Sequence, residues 1–178
     1  HSFPTRRSSD LFGKREKNSS NWAVLVLSFL ISFVSILPMF FFRDKLYGDD
    51  VVFHINRLLS LDTIWKSPIN FTTNGGTGQL INTFYPWLTY YPIFLVYKLT
   101  QSIFVAWMSF QFLVRFATCL LSFYGLRLLR YSDKQVLIFS TFYLFSGYFL
   151  HNSYYRAAVV ETLAMIFLPL VFVGVRLL

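Results

Sequence analysis

An uncharged apolar run, Trp22–Phe42, decides the class of this chain. It is long enough to cross about 30 Å of hydrocarbon as a helix. Only 13% of the residues are charged, against about 25% in soluble domains. Three further apolar runs follow, at 103–126, 135–150 and 157–175. We therefore predict an all-α, polytopic transmembrane helical bundle in an integral membrane protein.

The charge pattern favours a membrane over a nucleic acid as partner. The net charge is +8, but the basic residues lie at span ends rather than in one patch, which is typical of topology signals and lipid headgroup contacts. The single cysteine, Cys119, falls inside an apolar run and excludes a disulfide framework.

The two ends of the sequence need separate treatment. Residues 1–11 look like the translation of a sequencing-library adapter, so we exclude them and assign 1–21 to a non-native or cytoplasmic segment. Residues 22–178 are predicted to be one transmembrane domain, truncated at its C-terminus in an N-terminal fragment of a longer reading frame.

Topology depends on the aromatic and proline-rich segment 84–99. The basic residues 14–17 predict a cytoplasmic start, so the first span leads outward. If 84–99 crosses the membrane, the basic cluster 127–134 lies outside, against the positive-inside rule. If it lies flat at the interface, that cluster is cytoplasmic and the chain has four spans, which is the topology we predict.

The segment after the first span carries the first group of candidate site residues. If Asp50 opens a helix, His54 and Arg57 follow on the same face, toward water or a cavity, and Val51 and Val52 lie on the apolar face. The glycine-rich loop 72–79 beyond it is either a flexible turn or a loop that closes over a substrate.

Each of these residues has an ordinary structural alternative. An aspartate at this point caps a helix, but one is enough, and paired carboxylates such as Asp49 and Asp50 also act as a general base or hold a divalent cation with His54. His54 is otherwise a hydrogen-bonded surface residue. Arg57 either pairs with Asp50, extends to lipid phosphates, or binds a phosphate-bearing substrate.

A second group lies within or beside the later spans. Arg115 falls near mid-depth of a span, where an unpaired cation is costly, so it either pairs with Glu161 or a later helix, or faces a cavity. Tyr155, Arg156 and Glu161 lie at the start of the last span. Arg156 and Glu161 either extend to the interface or belong to the site.

Together, the order of these motifs resembles the N-terminal part of bacterial YfhO-like multispan proteins of the GT-C glycosyltransferase superfamily. The resemblance rests on the acidic pair Asp49–Asp50, the stretch Phe84–Pro92, the stretches 143–148 and 155–164, and Leu168-Pro169-Leu170. It covers residues 22–178, although members of this superfamily have more spans than this chain.

The resemblance implies transfer of a sugar from a polyprenyl-phosphate carrier to a cell-envelope acceptor, at the outer face of the bacterial plasma membrane. It implies that Asp49 or Asp50 is the catalytic base or the ligand of a divalent metal ion. Tyr155, Arg156 and Glu161 are the nearest match to a second motif. Under this hypothesis the residues divide into a catalytic set, Asp49, Asp50 and Glu161, and a substrate-binding set, His54, Arg57, Arg115, Tyr155 and Arg156.

Two other functions remain open. One is a transporter or lipid-handling protein in which Arg115 and Glu161 line a pathway and the aspartates are structural. The other is a membrane subunit that only supports partners. Inverted repeats would favour the transporter, and we find none.

Overall fold

A computed structural model describes residues 21–41, 46–67, 69, 76–78 and 80–178, with the backbone alone at 81 and 82. Residues 1–20, Phe42 and most of the glycine-rich loop lie outside the described residues. Within them the chain forms helices and no strands, as predicted. The helices are α1 (Asn21–Phe40), α2 (Val51–Leu59), α3 (Ile81–Phe84), α4 (Tyr91–Thr100), α5 (Ile103–Leu128), α6 (Asp133–Leu144), α7 (Gly147–Leu150), α8 (Val159–Met165) and α9 (Leu168–Leu177).

The bundle is built on α5, the longest helix, which packs antiparallel to α1. The rings of Phe40 and Phe104 lie 6.2 Å apart at one end, and Val24 packs in one core with Leu126 at the other. We call the first end the loop end and the second the basic end. Three described stretches are long and apolar enough to span a membrane: α1, α5, and α8 with α9.

Small residues allow these helices to approach closely. Ser28 and Ser32 of α1 are fully buried, and the Ser32 hydroxyl lies 3.9 Å from the sulfur of Cys119. On α5, a side chain at Gly125 would come within 2.8 Å of Leu170. Such contacts supply van der Waals packing where the lipid removes the hydrophobic drive for helices to associate.

The predicted span over 135–150 is divided. Helix α6 has 12 residues, about 18 Å, and ends before Ser146, whose hydroxyl accepts the Phe149 N–H and starts α7. A π-helical turn, His151–Tyr155, follows. Helix α6 starts at the basic end, beside the end of α5, and the π-helical turn lies at the loop end. Residues 133–155 therefore run from the basic end to the loop end as a broken helix.

The last segment is also interrupted, between α8 and α9. Pro169 has no N–H, so it leaves the carbonyl of Met165, four residues earlier, without its helical donor. The Tyr143 hydroxyl donates to that carbonyl at 2.8 Å. A side chain of α6 therefore compensates for the backbone bond that the proline removes.

Helix α4 covers most of the segment whose crossing decided the predicted topology. Its ten residues span about 15 Å, half the hydrocarbon thickness, so this helix does not form a span of its own. Ile93 and Phe94 pack in the same core as Ala106 and Trp107 of α5. This packing places the start of α4 beside α2, where the candidate site lies.

Candidate functional site

Two turns that are distant in sequence dock on one another at the loop end. The backbone N–H groups of Asp49 and Asp50 donate to the carbonyls of Tyr155 and Arg156, each at 3.0 Å. Gly48 makes this possible: its φ is +139°, and a Cβ there would lie 2.5 Å from the Cβ of Ala157. The segment after α1 and the break before α8 therefore meet at the loop end.

The carboxylates of Asp49 and Asp50 have no hydrogen-bond or ion-pair partner among the described residues. Asp49 is exposed and Asp50 is half-buried. Asp50 is the N-cap residue of α2, yet its side chain makes no capping hydrogen bond. Capping through the side chain thus does not account for either aspartate, and both carboxylates are available to a ligand.

Helix α2 begins where predicted, but its buried face differs from the expected one. His54 and Arg57 are buried, at 5% and 0% exposure, whereas Val52 is 68% exposed. Expecting the ionisable face to meet water or a cavity was wrong. The protein interior supplies hydrogen-bond partners for both polar side chains. Of the predicted apolar face, Val51 is buried and Val52 is at the surface.

His54 joins three elements through its two ring nitrogens. Nδ1 lies 2.5 Å from the Tyr90 hydroxyl, and Nε2 lies 3.5 Å from the Val159 N–H that opens α8. Because that N–H can only donate, Nε2 accepts and the proton of the neutral ring resides on Nδ1. Burial, then the charge of Arg57, lowers the pKa of His54 from its ordinary 6.5 to about 4, with Glu161 opposing.

Arg57 is held in an aromatic cage. Its guanidinium carbon lies 4.4 Å from the ring centroid of Tyr90 and 4.9 Å from that of Tyr85. Nη1 donates to the Tyr90 hydroxyl at 3.0 Å, and Nη2 to the Pro86 carbonyl at 3.2 Å. Burial lowers the pKa of Arg57. In this arrangement Arg57 ties α2 to the segment 85–90 and does not present its donors at the surface.

Arg156 is the accessible arginine of the site. Its side chain is 40% exposed, and Nη2 lies 3.3 Å from the Glu161 carboxylate. Nη1 donates to the amide oxygen of Asn152 at 3.2 Å. Tyr155 is 63% exposed, and its ring stacks on His151. An ion pair this exposed contributes little to stability, so its groups can exchange partners with a ligand.

Arg115 lies apart from this cluster, buried within α5 at 0% exposure. Nη1 donates to the backbone carbonyl and side-chain oxygen of Gln111, at 3.0 and 2.6 Å. The rings of Phe149 and Tyr154 lie 5.4 and 5.5 Å from its guanidinium carbon. Within the described residues Nε and Nη2 meet no hydrogen-bond geometry, but the Tyr154 side chain interacts with the same guanidinium. The pairing with Glu161 is not formed, because that carboxylate pairs with Arg156.

Most of the predicted site residues therefore share the loop end, with Arg115 deeper in the bundle. Sequence reasoning missed Tyr90 and Trp107, which contact His54. Both are aromatic residues of a kind expected at any membrane interface. No sequence signal separates them from the many other aromatic residues.

A metal site complete in protein ligands is not present in the described part of the chain, where no group of three or more His, Cys, Asp or Glu residues lies close enough to hold an ion. The two free aspartates supply only part of a coordination sphere. Comparison with known proteins found no matching family model, no matching curated protein and no matching solved structure.

Proposed function

We propose that this chain belongs to a GT-C-type glycosyltransferase of the bacterial plasma membrane. It transfers a sugar from a polyprenyl-phosphate carrier to a cell-envelope acceptor, at the loop end on the outer face. One observation carries the proposal: backbone hydrogen bonds join two aspartates, whose carboxylates have no partners among the described residues, to the turn that carries an accessible arginine. The order of motifs in the sequence, which resembles YfhO-like proteins, supports the same function.

The chemistry of transfer assigns different work to these groups. The acceptor hydroxyl oxygen attacks the anomeric carbon of the sugar, and its proton passes to the carboxylate of Asp50 or Asp49. The bond from that carbon to the phosphate oxygen breaks, and the carrier phosphate leaves with the electron pair. Its charge needs a cation. Among the described arginines near the aspartates, Arg156 is the one with an exposed side chain.

Glu161 and His54 have supporting roles in this proposal. Glu161 holds Arg156 until a phosphate replaces it. Neutral His54 secures the start of α8, which carries Glu161. A divalent ion fits the aspartate pair in the manner of Mg²⁺, which binds through one or two carboxylates together with water and substrate phosphate. When bound, it would neutralise charge on the leaving phosphate.

The test uses single substitutions in the gene expressed in its host. Asp50→Asn and Asp49→Asn keep the shape of the side chain and remove the base. Asp62→Asn is the matched control, because Asp62 forms only an exposed pair with Lys98. We expect at least one of the first two to abolish an envelope glycan at normal protein abundance. Normal glycan in both would refute the proposal.

The alternative function, a transporter or lipid-handling protein, is favoured by one observation. Arg115 is a fully buried cation inside a spanning helix, and no carboxylate of the described residues pairs with it, which is typical of a residue on an ion or substrate pathway. In that case Arg115→Gln would abolish movement of a substrate across the membrane while Asp49→Asn and Asp50→Asn leave the glycans intact. The two functions thus predict opposite results for the aspartate variants.

A further inference from the structure

An apolar groove lies on the outside of the bundle, away from the candidate site. It has a volume of about 400 Å³ and runs between α5, α6 and α9. Leu168 and Phe172 of α9 form one wall, and Phe139 of α6 faces them. All three are well exposed, at 49%, 44% and 37%. At its inner end, the hydrogen bond from Tyr143 to Met165 ties α6 to α8.

The other end of the groove opens at the basic end of the bundle. Tyr131 and Gln135 line it there, and each follows directly after an exposed cation, Arg130 and Lys134. Arg176, also exposed, is one turn beyond Phe172 on the same face of α9. Three exposed cations therefore lie at this end of the bundle, each one residue or one helical turn from a residue that lines the groove.

Arg130 occupies a backbone position that glycine normally fills. Its φ is +64°. The Arg130 N–H donates to the carbonyl of Arg127, and that of Tyr131 to the carbonyl of Leu126. These bonds form a Schellman motif, and the left-handed position of that motif, which Arg130 occupies, is usually glycine. A left-handed conformation costs a residue with a side chain about 1–2 kcal/mol, so the sequence places a cation here at some expense.

We propose that this groove binds an anionic phospholipid, with one acyl chain along its apolar walls and the phosphate against Arg130, Lys134 and Arg176. The charge at the mouth selects the anionic headgroup. Basic pockets between spanning helices bind such headgroups, and each cation near the headgroup layer is worth about 1 kcal/mol. The site lies at the opposite end from the aspartates, and the inference does not depend on the proposed function.

The experiment measures thermal unfolding of the whole chain in uncharged detergent micelles, through its tryptophan fluorescence. Phosphatidylglycerol is titrated, with phosphatidylcholine of the same acyl chains as reference. We expect phosphatidylglycerol to raise the unfolding midpoint and phosphatidylcholine to leave it unchanged. Glycerol 1-phosphate is expected to have no effect, because it carries the headgroup charge without a chain. The proposal would be overturned if both lipids shifted the unfolding midpoint equally, or if glycerol 1-phosphate shifted it as much as phosphatidylglycerol does.

Substitutions distinguish the contribution of the cations at the mouth from that of the apolar walls. Lys134→Gln is expected to weaken the apparent affinity for phosphatidylglycerol about fivefold, while Lys66→Gln, an exposed cation outside this end, leaves it unchanged. Arg130→Gly is expected to raise the midpoint without lipid and to weaken the response to phosphatidylglycerol. Unchanged affinity in both Lys134→Gln and Arg130→Gly would refute the role of the cations.

Leu168→Trp fills the groove and leaves every charge in place. It should remove the response to phosphatidylglycerol, and full retention of that response would refute the acyl-chain assignment. Light scattering of the same samples tests another occupant. A dimer in phosphatidylcholine micelles that Leu168→Trp dissociates would assign the groove to a second copy of the chain and overturn the lipid proposal.

Discussion

Acidification should destabilise this protein through His54 in particular. In the folded chain Nε2 accepts the N–H that opens α8, and a protonated ring could not do so. The folded pKa is about 4, against an ordinary 6.5, so between these values the unfolded chain takes up a proton that the folded chain refuses. The stability contributed by neutral His54 is present above pH 6.5 and is lost as the pH falls toward 4.

The pKa difference sets the size of the effect. At about 1.4 kcal/mol for each pH unit, it corresponds to about 3 kcal/mol of unfolding free energy, or roughly 6–12 °C in the unfolding midpoint of a chain this size. Arg57 lowers the pKa of His54 further and Glu161 raises it, so both residues affect how much stability is lost on acidification. His54 is only 5% exposed, which limits solvent screening.

The assay compares wild type with His54→Leu in micelles between pH 7.5 and 4. Groups that do not interact with His54 titrate alike in both proteins and cancel in the difference, which leaves His54 and its coupling to Glu161. We expect wild type to lose about 3 kcal/mol more than the variant, since leucine has no proton to gain. If both lose stability in parallel over this range, the assignment of a buried neutral histidine is wrong.

Two further substitutions test the contacts that position the site, both by thermal unfolding. Gly48→Ala should lower the free energy of unfolding by about 1–3 kcal/mol, because φ at Gly48 is +139° and the new Cβ meets Ala157. The control is Gly147→Ala, where a Cβ meets nothing within 4 Å and the loss should be small. Equal losses in the two variants would contradict the docking of Gly48 on Ala157. Tyr143→Phe should cost about 1 kcal/mol by removing the donor to Met165. Adding Pro169→Ala to it restores a backbone donor, so a double variant no more stable than Tyr143→Phe would refute that account.

Local sequence patterns predicted the start of α2 and the long apolar helices, because those depend on residues close together in the chain. The orientation of α2 depends on distant partners. His54 contacts Tyr90 and Val159, which are 36 and 105 residues away. Taken alone, the sequence turns His54 and Arg57 toward water or a cavity, and only the donors and acceptors brought by other segments make it favourable to bury Arg57.

The broken third segment shows a similar limit. Its apolar composition predicted one span over 135–150, whereas the chain forms α6, α7 and a π-helical turn. Ser146 is the local signal for the break, since its hydroxyl accepts the Phe149 N–H. A serine within an apolar run is common in membrane helices, however, so Ser146 alone does not predict a break.

The break is also what builds the site. An unbroken helix would use the carbonyls of Tyr155 and Arg156 within its own hydrogen-bond ladder. Here they are free to accept the N–H groups of Asp49 and Asp50. The cost includes a left-handed Ala157, at φ +57°, and such strain is concentrated at functional sites. Irregular backbone at membrane depth is tolerated where it is buried in protein or lines a cavity. The fold thus gives up a continuous third helix, and the freed carbonyls dock Asp49 and Asp50 on the turn that carries Arg156.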